Sequence, residues 1–303
     1  MNARAAAWRA DALLLVASTI WGAAFVAQRQ AASHMGAIEI AAIRFLMGGL
    51  MLLPVVAWRR RRVRCVSPAP IVFRGGSIAG AVMLVAFVLQ QRGIEMGSTA
   101  SEAGFITGLY VVFVPILGLL WGVRTHAAVW VGAVLAAIGL YLLSVDASWR
   151  MSTGDLLVLA CALAWAVHVL VIGRFSPRCD PIELAAAQFL VTGGLALLVL
   201  QRLPSRESLE QVLWPMLYLG PVAVGVAFTL QVVGQRTAPP AHAALILSLE
   251  GLFAAAFGAV IGDERLAWVQ YGGGGLMLAG ILIAQWPELA GRRSAPPSDA
   301  LPR

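Results

Sequence analysis

Ten residues of this chain carry polar or aromatic chemistry in stretches that offer them no water. Glu250 lies near the centre of the apolar run 241–261. A carboxylate at mid-bilayer costs roughly 2.5–3.5 kcal/mol on insertion scales, so it must face protein or a water-filled cavity. There it contacts a substrate amine, exchanges a proton, or stays protonated and bonds a neighbouring helix. Arg44 lies about a quarter of the way into the run 40–58. It is suited to a bidentate carboxylate contact, and equally to snorkelling or to pairing with Glu39 or Glu102. Trp21 and Trp165 sit in mid-run. They suit an aromatic wall for apolar, aromatic or cationic ligands, and equally plain helix packing. His168 follows Trp165 by about one turn on nearly the same face, where it either titrates or serves as a hydrogen-bonded structural residue. Gln90 and Gln231 are amides that need partners in lipid. Thr107, Tyr110 and Ser248 complete the set as lining groups, or bond only their own helices. All of this is binding and proton-handling chemistry. The chain shows no catalytic cluster, metal set or phosphate loop, so no catalytic residue, metal, cofactor or use of ATP is expected.

The elements that must position these residues follow from composition. The chain has 303 residues, 60% hydrophobic and 12% charged, with a mean hydropathy of +0.82. Soluble domains have roughly 45–50% apolar and about 25% charged residues. Soluble, disordered, fibrous and disulfide-framework classes are therefore excluded. Ten apolar runs are bounded by charge or turn residues, at 12–28, 40–58, 71–91, 103–121, 127–145, 155–173, 182–201, 211–234, 241–261 and 267–286. Each approaches the ~20 residues that a helix needs to cross the hydrocarbon core. No stretch alternates with a period of two, which argues against a β-barrel. The expected fold is an all-α integral membrane protein of ten transmembrane helices. Residues 1–10 form a cytoplasmic N-terminus and 287–303 a disordered cytoplasmic tail.

All 22 basic residues are arginine. They gather at run ends, which is topology chemistry and not a nucleic-acid groove. With the N-terminus inside, 15 arginines fall at inner ends, 6 at outer ends, and Arg44 within a span. Both termini are therefore expected in the cytoplasm. Trp8, Trp58, Trp121, Trp130, Trp149, Trp214, Trp268 and Trp286 lie near run ends, as an interfacial belt requires; Trp21 and Trp165 do not. Cys65, Cys161 and Cys179 have no metal spacing. Asp11 and Asp155 open their runs and are expected as helix N-terminal charges, as are Glu39 and Glu183. The pairs Gly76/Gly80, Gly104/Gly108 and Gly118/Gly122 and the run Gly272–Gly275 offer surfaces for close packing within the chain.

The chain is a duplication. A shift of 144 places Asp11 on Asp155, Trp21 on Trp165, Ile38-Glu39 on Ile182-Glu183, and Phe45-Leu46 on Phe189-Leu190. A shift of 141 places Val85-Ala86-Phe87 on Val226-Ala227-Phe228, Gln90 on Gln231, Gly93 on Gly234, Gly132 on Gly273 and Gly139 on Gly280. The repeats are 11–145 and 155–286. Residues 11–29 resemble a signal peptide, but their counterpart lies in the chain interior, so a retained helix is expected. Five spans per repeat is an odd number, so the second copy enters the membrane from the opposite face. Such inverted-topology repeats surround a midplane site in many secondary transporters.

At this point the residues resemble a known family. Trp21-Gly22, Ala42-Ile43-Arg44-Phe45, Thr107-Gly108-Leu109-Tyr110 running to Pro115, and Glu250 with the later Gly262-Asp263-Glu264-Arg265-Leu266 are similar to the EamA branch of the drug/metabolite transporter superfamily, over residues 10–286. The family often has proline after the ninth-run glutamate. Here Gly251 follows, a residue that also permits a kink. The resemblance implies a secondary transporter of a bacterial-type inner membrane, usually an exporter of metabolites. Amino acids (aromatic ones, threonine, cysteine derivatives), other metabolites and some drugs are exported within the superfamily. It also implies a central cavity formed mainly by spans 1, 3, 4, 6, 8 and 9.

The expected function is export of a small metabolite, neutral or aromatic amino acids first, by alternating access. Protons are a candidate coupling ion, and the partners are the substrate and the lipid bilayer. The alternative is a drug or other metabolite exporter. A membrane enzyme lacks its cluster here. A passive pore would favour a ring of like polar residues, whereas Arg44 matches Gln188 and Glu250 matches Leu109 across the repeat.

Overall fold

The computed structural model describes residues 3–62, 67–123, 125–144, 152–261 and 268–289. Its helices are α1 (Ala3–Ala32), α2 (Ala37–Arg62), α3 (Ala69–Glu95), α4 (Ala100–Gly108), α5 (Tyr110–Leu120), α6 (Ala127–Ser144), α7 (Thr153–Phe175), α8 (Pro181–Val199), α9 (Arg206–Gln211), α10 (Leu213–Leu217), α11 (Thr229–Gly234), α12 (Pro240–Leu247), α13 (Glu250–Ile261) and α14 (Trp268–Leu289). A π-helical segment, Tyr218–Phe228, joins α10 to α11. Among the described residues there is no strand. Eight helical stretches are long and apolar enough to cross a membrane, and Ala127–Leu142 and Trp268–Ala284 are shorter apolar helices. The tail and the Gly262–Leu266 motif lie outside the described residues.

Local chemistry sets the helix starts. Thr99 with Glu102, and Ser152 with Asp155, form capping boxes in which side chain and backbone satisfy each other's donors. Asp180 caps α8 through the amides of Ile182 and Glu183, with Pro181 in the first turn. Asp155 thus opens its helix as expected of it. Asp11 does not: α1 begins at Ala3, so Asp11 lies within the helix, where its carboxylate meets His242 Nε2 at 2.9 Å. The apolar residues that precede Asp11 extend the helix backwards past the run boundary.

The spans alternate in direction. The end of α2 lies beside the start of α8, where Arg59 pairs with Asp180 and Arg60 with Glu183, both at 2.6 Å. The start of α12 lies beside the start of α1 through His242–Asp11. We call the face at which α1 begins the first face. Large apolar side chains such as Phe73, Leu198 and Val260 point outward, as a lipid-facing surface requires. Trp8, Trp58, Trp121, Trp214, Trp268 and Trp286 are exposed, while Trp21 and Trp165 are buried. The belt and the interior pair are thereby separated.

Glycines set the helix crossings, and their contacts are reciprocal across the repeat. A methyl on Gly132 would come within 2.6 Å of the Gly280 carbonyl oxygen, and one on Gly139 within 2.5 Å of that of Gly273, so α6 and α14 touch backbone to backbone. Gly93 meets Val158 and Gly154, while its repeat partner Gly234 meets their partners Leu14 and Ala10. Gly49 meets Leu190, and Gly193 meets Leu46. Gly104 of α4 lies against Gly251 and Ala254 of α13.

Two spans are broken at matching places. α4 passes to α5 through Leu109, and α12 passes to α13 through Ser248 and Leu249. No proline marks the second break. Gly251 permits it by close packing: a methyl there would meet Leu140 Cδ2 at 2.8 Å and the Gly104 carbonyl oxygen at 3.1 Å.

These contacts predict that Gly132→Val lowers the thermal midpoint of the purified protein by several degrees, an overpacking cost of about 1–3 kcal/mol. Gly275→Ala, with no atom near the added methyl, should leave the midpoint within a degree. Thermal melts in detergent check both; equal midpoints would show that the α6–α14 crossing is slack.

Candidate functional site

A buried cavity lies inside the bundle. Trp21, Ala24, Phe25 and Gln28 of α1 form one wall, with Arg44 of α2 and with Phe87 and Gln90 of α3. Thr107 of α4, Tyr110 of α5, Trp165 and Val169 of α7, Phe228, Gln231 of α11, Leu247 of α12 and Glu250 of α13 close it. All these residues are buried, so the space is occluded. Eight of the ten residues expected from the sequence come together here: Trp21, Arg44, Gln90, Thr107, Tyr110, Trp165, Gln231 and Glu250.

Ser248 and His168 are not among the lining residues. Ser248 sits in the break between α12 and α13, and its hydroxyl donates to the Leu245 carbonyl oxygen at 2.8 Å, the self-bonding common for hydroxyls in helices. His168 is wholly buried behind the cavity wall. Its Nε2 lies 2.9 Å from Gln188 Oε1, and its ring stands edge-on to Trp165 at 5.4 Å.

The helix breaks put polar groups at cavity level. Glu250 opens α13, so its carboxylate lies where the dipole of a helix start favours negative charge. The Tyr110 hydroxyl, at the start of α5, lies within electrostatic reach of Glu250 yet makes no hydrogen bond of normal geometry. Gln90 donates to the Thr107 hydroxyl at 3.0 Å. Gln231 donates to Gln235 Oε1 at 2.9 Å, which leaves its own carbonyl oxygen unpartnered.

Arg44 has the least usual environment. It does not snorkel: it is 3% exposed. Nor does it pair with Glu39 or Glu102. Glu39 caps Gly36 N at 2.8 Å, and Glu102 is engaged by Thr99 N at 2.8 Å. Instead the guanidinium lies over the Phe87 ring at 4.5 Å and near that of Phe45 at 5.3 Å, a cation–π arrangement. Its Nε and Nη1 have no hydrogen-bond partner. A guanidinium held away from water in this way has donors suited to the oxygens of an anion.

Aromatic rings line the rest. The centroid of Phe228 lies 4.4 Å from that of Trp21 and 5.5 Å from that of Trp165, with Phe189 at 6.1 Å. The Trp21 indole donates to the Ala223 carbonyl oxygen at 3.0 Å. Ala223 belongs to the π-helical segment, where a carbonyl is released from the regular ladder. The Trp165 indole N–H has no partner.

The chain's own sequence pointed to Phe87 and Phe228, since each ends the matched Val-Ala-Phe triplet and stands one turn before Gln90 or Gln231. Phe25 and Gln28 lie one and two turns after Trp21, on its face. Ala24, Val169 and Leu247 carry no signal that separates them from any other apolar residue of a span.

The model of the EamA-like transporter family matches residues 8–145 and again 152–285. A protein of Archaeoglobus fulgidus described as an uncharacterized transporter is 30% identical over 284 residues, covering 90% of this chain and 85% of its own length. The Escherichia coli threonine/homoserine exporter RhtA is 27% identical over 286 residues, covering 91% and 90%. A solved crystal structure at 20% identity matches with a TM-score of 0.71, covering 93% of this chain and 98% of that one, and shares the fold.

The geometry at Arg44 makes a prediction that separates an anion receptor from a packing residue. Arg44→Met removes buried donors without partners, each costing about 1–3 kcal/mol, so the substrate-free protein should melt several degrees higher while losing ligand binding. A melt at or below that of the parent would assign Arg44 to scaffold and not to the site.

Proposed function

The chain belongs to the EamA-like transporter family and is a multi-pass membrane transporter, and from that premise we propose that it is a secondary transporter that exports neutral or aromatic amino acids across a bacterial-type inner membrane by alternating access. The observation that carries the reading is the occluded cavity that holds Arg44 and Glu250 together with an aromatic wall. An amino acid presents a carboxylate, an ammonium group and a side chain. Arg44 offers the carboxylate its unpartnered donors. Glu250 offers the ammonium group a carboxylate, and Tyr110 lies beside it. Trp21, Trp165 and Phe228 take the apolar part. The activity for which the Escherichia coli relative is named, export of threonine and homoserine, supports an amino-acid substrate, and the aromatic lining supports one with an apolar side chain.

The reciprocal glycine contacts, with Gly132 and Gly139 of α6 against Gly280 and Gly273 of α14, support two five-helix repeats, 11–145 and 155–286, related by a two-fold axis through the bundle. The matching breaks in the fourth and ninth spans support a site between them at mid-depth, as in transporters with discontinuous helices. The arginine bias supports placing the first face, and both termini, in the cytoplasm. Among the described residues Glu250 is the single carboxylate lining the cavity, so proton exchange with substrate would pass through it. Exchange of an amino acid for a proton keeps the buried carboxylate neutralised in both directions, by an ammonium group in one and a proton in the other. A drug without charges would leave Arg44 and Glu250 unpartnered.

The test is counterflow of radiolabelled amino acids (aromatic, branched, methionine, threonine) in proteoliposomes. Saturable exchange of at least one member is expected. Glu250→Gln should lower it at least tenfold in protein that remains monodisperse, and Trp165→Ala should raise half-saturation about tenfold. An absence of exchange for the whole panel moves the function to drug or other metabolite export. Exchange untouched by either substitution keeps the function and removes these two residues from the site.

A further inference from the structure

The two repeats supply equivalent residues, but the cavity does not use them equivalently. Phe87 and Phe228 are repeat partners, and so are Trp21 and Trp165. Both tryptophans lie on Phe228, and neither lies on Phe87. Phe228 is further enclosed by Phe189 and by His168, the latter edge-on at 6.2 Å. Phe87 instead carries the Arg44 guanidinium, and Phe25, Gln28 and Arg44 extend the cavity on that side. Because α1 runs from the first face and α2 runs toward it, Gln28 and Arg44 lie in the half remote from the first face. The aromatic cluster around Phe228 therefore plugs the half nearer the first face, while the cavity reaches into the other.

Behind the plug stands the repeat counterpart of the Arg44 position. Gln188 matches Arg44, and it is wholly buried with its amide nitrogen unpartnered. Its Oε1 is 2.9 Å from His168 Nε2, while His168 Nδ1 is also unpartnered. Two buried polar atoms without partners at the mirror position of an anion receptor are costly unless another state uses them. If the two repeats exchange conformations, the tryptophans move onto Phe87, Phe228 is uncovered, and Gln188 with His168 faces the cavity as Arg44 does now.

We propose that His168 and Gln188 form a second carboxylate subsite, used when the cavity opens toward the first face. This rests on the reading of the chain as an inverted-repeat transporter. The substrate carboxylate there meets the Gln188 amide and the His168 ring in place of a guanidinium. Neutral donors bind a carboxylate less tightly than a charged one, so the two faces differ in affinity. His168, absent from the cavity lining in this state, enters it in the other.

The experiment uses the full chain with Cys65, Cys161 and Cys179 replaced by alanine, reconstituted with known sidedness, and with the amino acid that this parent exchanges best. Gln188→Cys should react with a membrane-impermeant thiol reagent only from the first face, and Arg44→Cys only from the opposite face. Saturating substrate should slow the Gln188→Cys reaction. Gln188→Cys that reacts from the face that labels Arg44→Cys, or from neither face, overturns the subsite. His168→Ala is the second variant. Its half-saturation should rise about tenfold at the first face, with the opposite face saturated, and less than twofold in the reverse arrangement. Equal shifts at both faces, or none, overturn the proposal even when labelling fails. Absence of all exchange in the cysteine-free parent and equally in the native chain overturns the amino-acid reading and the carboxylate subsite with it.

Discussion

Helices surrounded by lipid gain little from apolar association, because lipid tails are as apolar as leucine. Their packing must come from close contact, and in this protein that contact is made at glycine. Gly132 and Gly139 bring α6 against α14, Gly104 brings α4 against α13, and Gly93 and Gly234 seat α3 on α7 and α11 on α1. At each crossing a side chain would occupy space now filled by a neighbour's backbone or methyl group. The cavity depends on these crossings. Helices that touch so closely at the periphery are free to diverge around a space at the centre, and the broken ends of α4, α5 and α13 place Thr107, Tyr110 and Glu250 at it.

Polar groups in the interior divide into two populations. One is paired and holds the ends of the bundle, Arg59 with Asp180, Arg60 with Glu183, His242 with Asp11, and Ser98 with Asp155, though Glu183 Oε2 and Glu95 Oε1 lack a partner. The other lies at cavity depth and is incompletely satisfied: Arg44, Gln28, Tyr110, Trp165, Gln231, Gln188 and His168. Buried polar atoms in stable cores are normally partnered. Most of the unpartnered atoms lie at the cavity wall or directly behind it.

The interior is also asymmetric in a way that its repeats are not. Matched aromatic residues occupy unmatched positions, with one phenylalanine enclosed by both tryptophans and the other left to a guanidinium. A two-fold arrangement that was symmetric in detail would leave no difference between its faces. The unequal packing of equal residues gives this conformation a direction.

Much of the architecture was legible in the sequence, because burial in a bilayer demands long apolar runs and the duplication repeats them. The mid-span positions of Trp21, Trp165 and Glu250, the repeat pairs Phe87/Phe228 and Gln90/Gln231, and the capping role of Asp155 all follow from spacing and residue type. Asp11 was misplaced because apolar residues before it lengthen α1, and helix ends within an apolar chain have no sharp signal. The break before Glu250 was open because glycine permits a kink without dictating one. The neighbours of Arg44 could not be read at all. Sequence fixes how far a residue lies along its own helix, but not what another helix sets opposite it. Whether the guanidinium meets Glu39, Glu102 or a phenylalanine ring is decided by crossings between elements far apart in the chain. The same holds for His168 and Ser248, whose exclusion from the cavity depends on how their helices pack in the bundle. The amino-acid sequence by itself determined the spans, their duplication and the residues with chemistry to offer; the tertiary structure decided which of them share a space, since only packing sets the distance between helices.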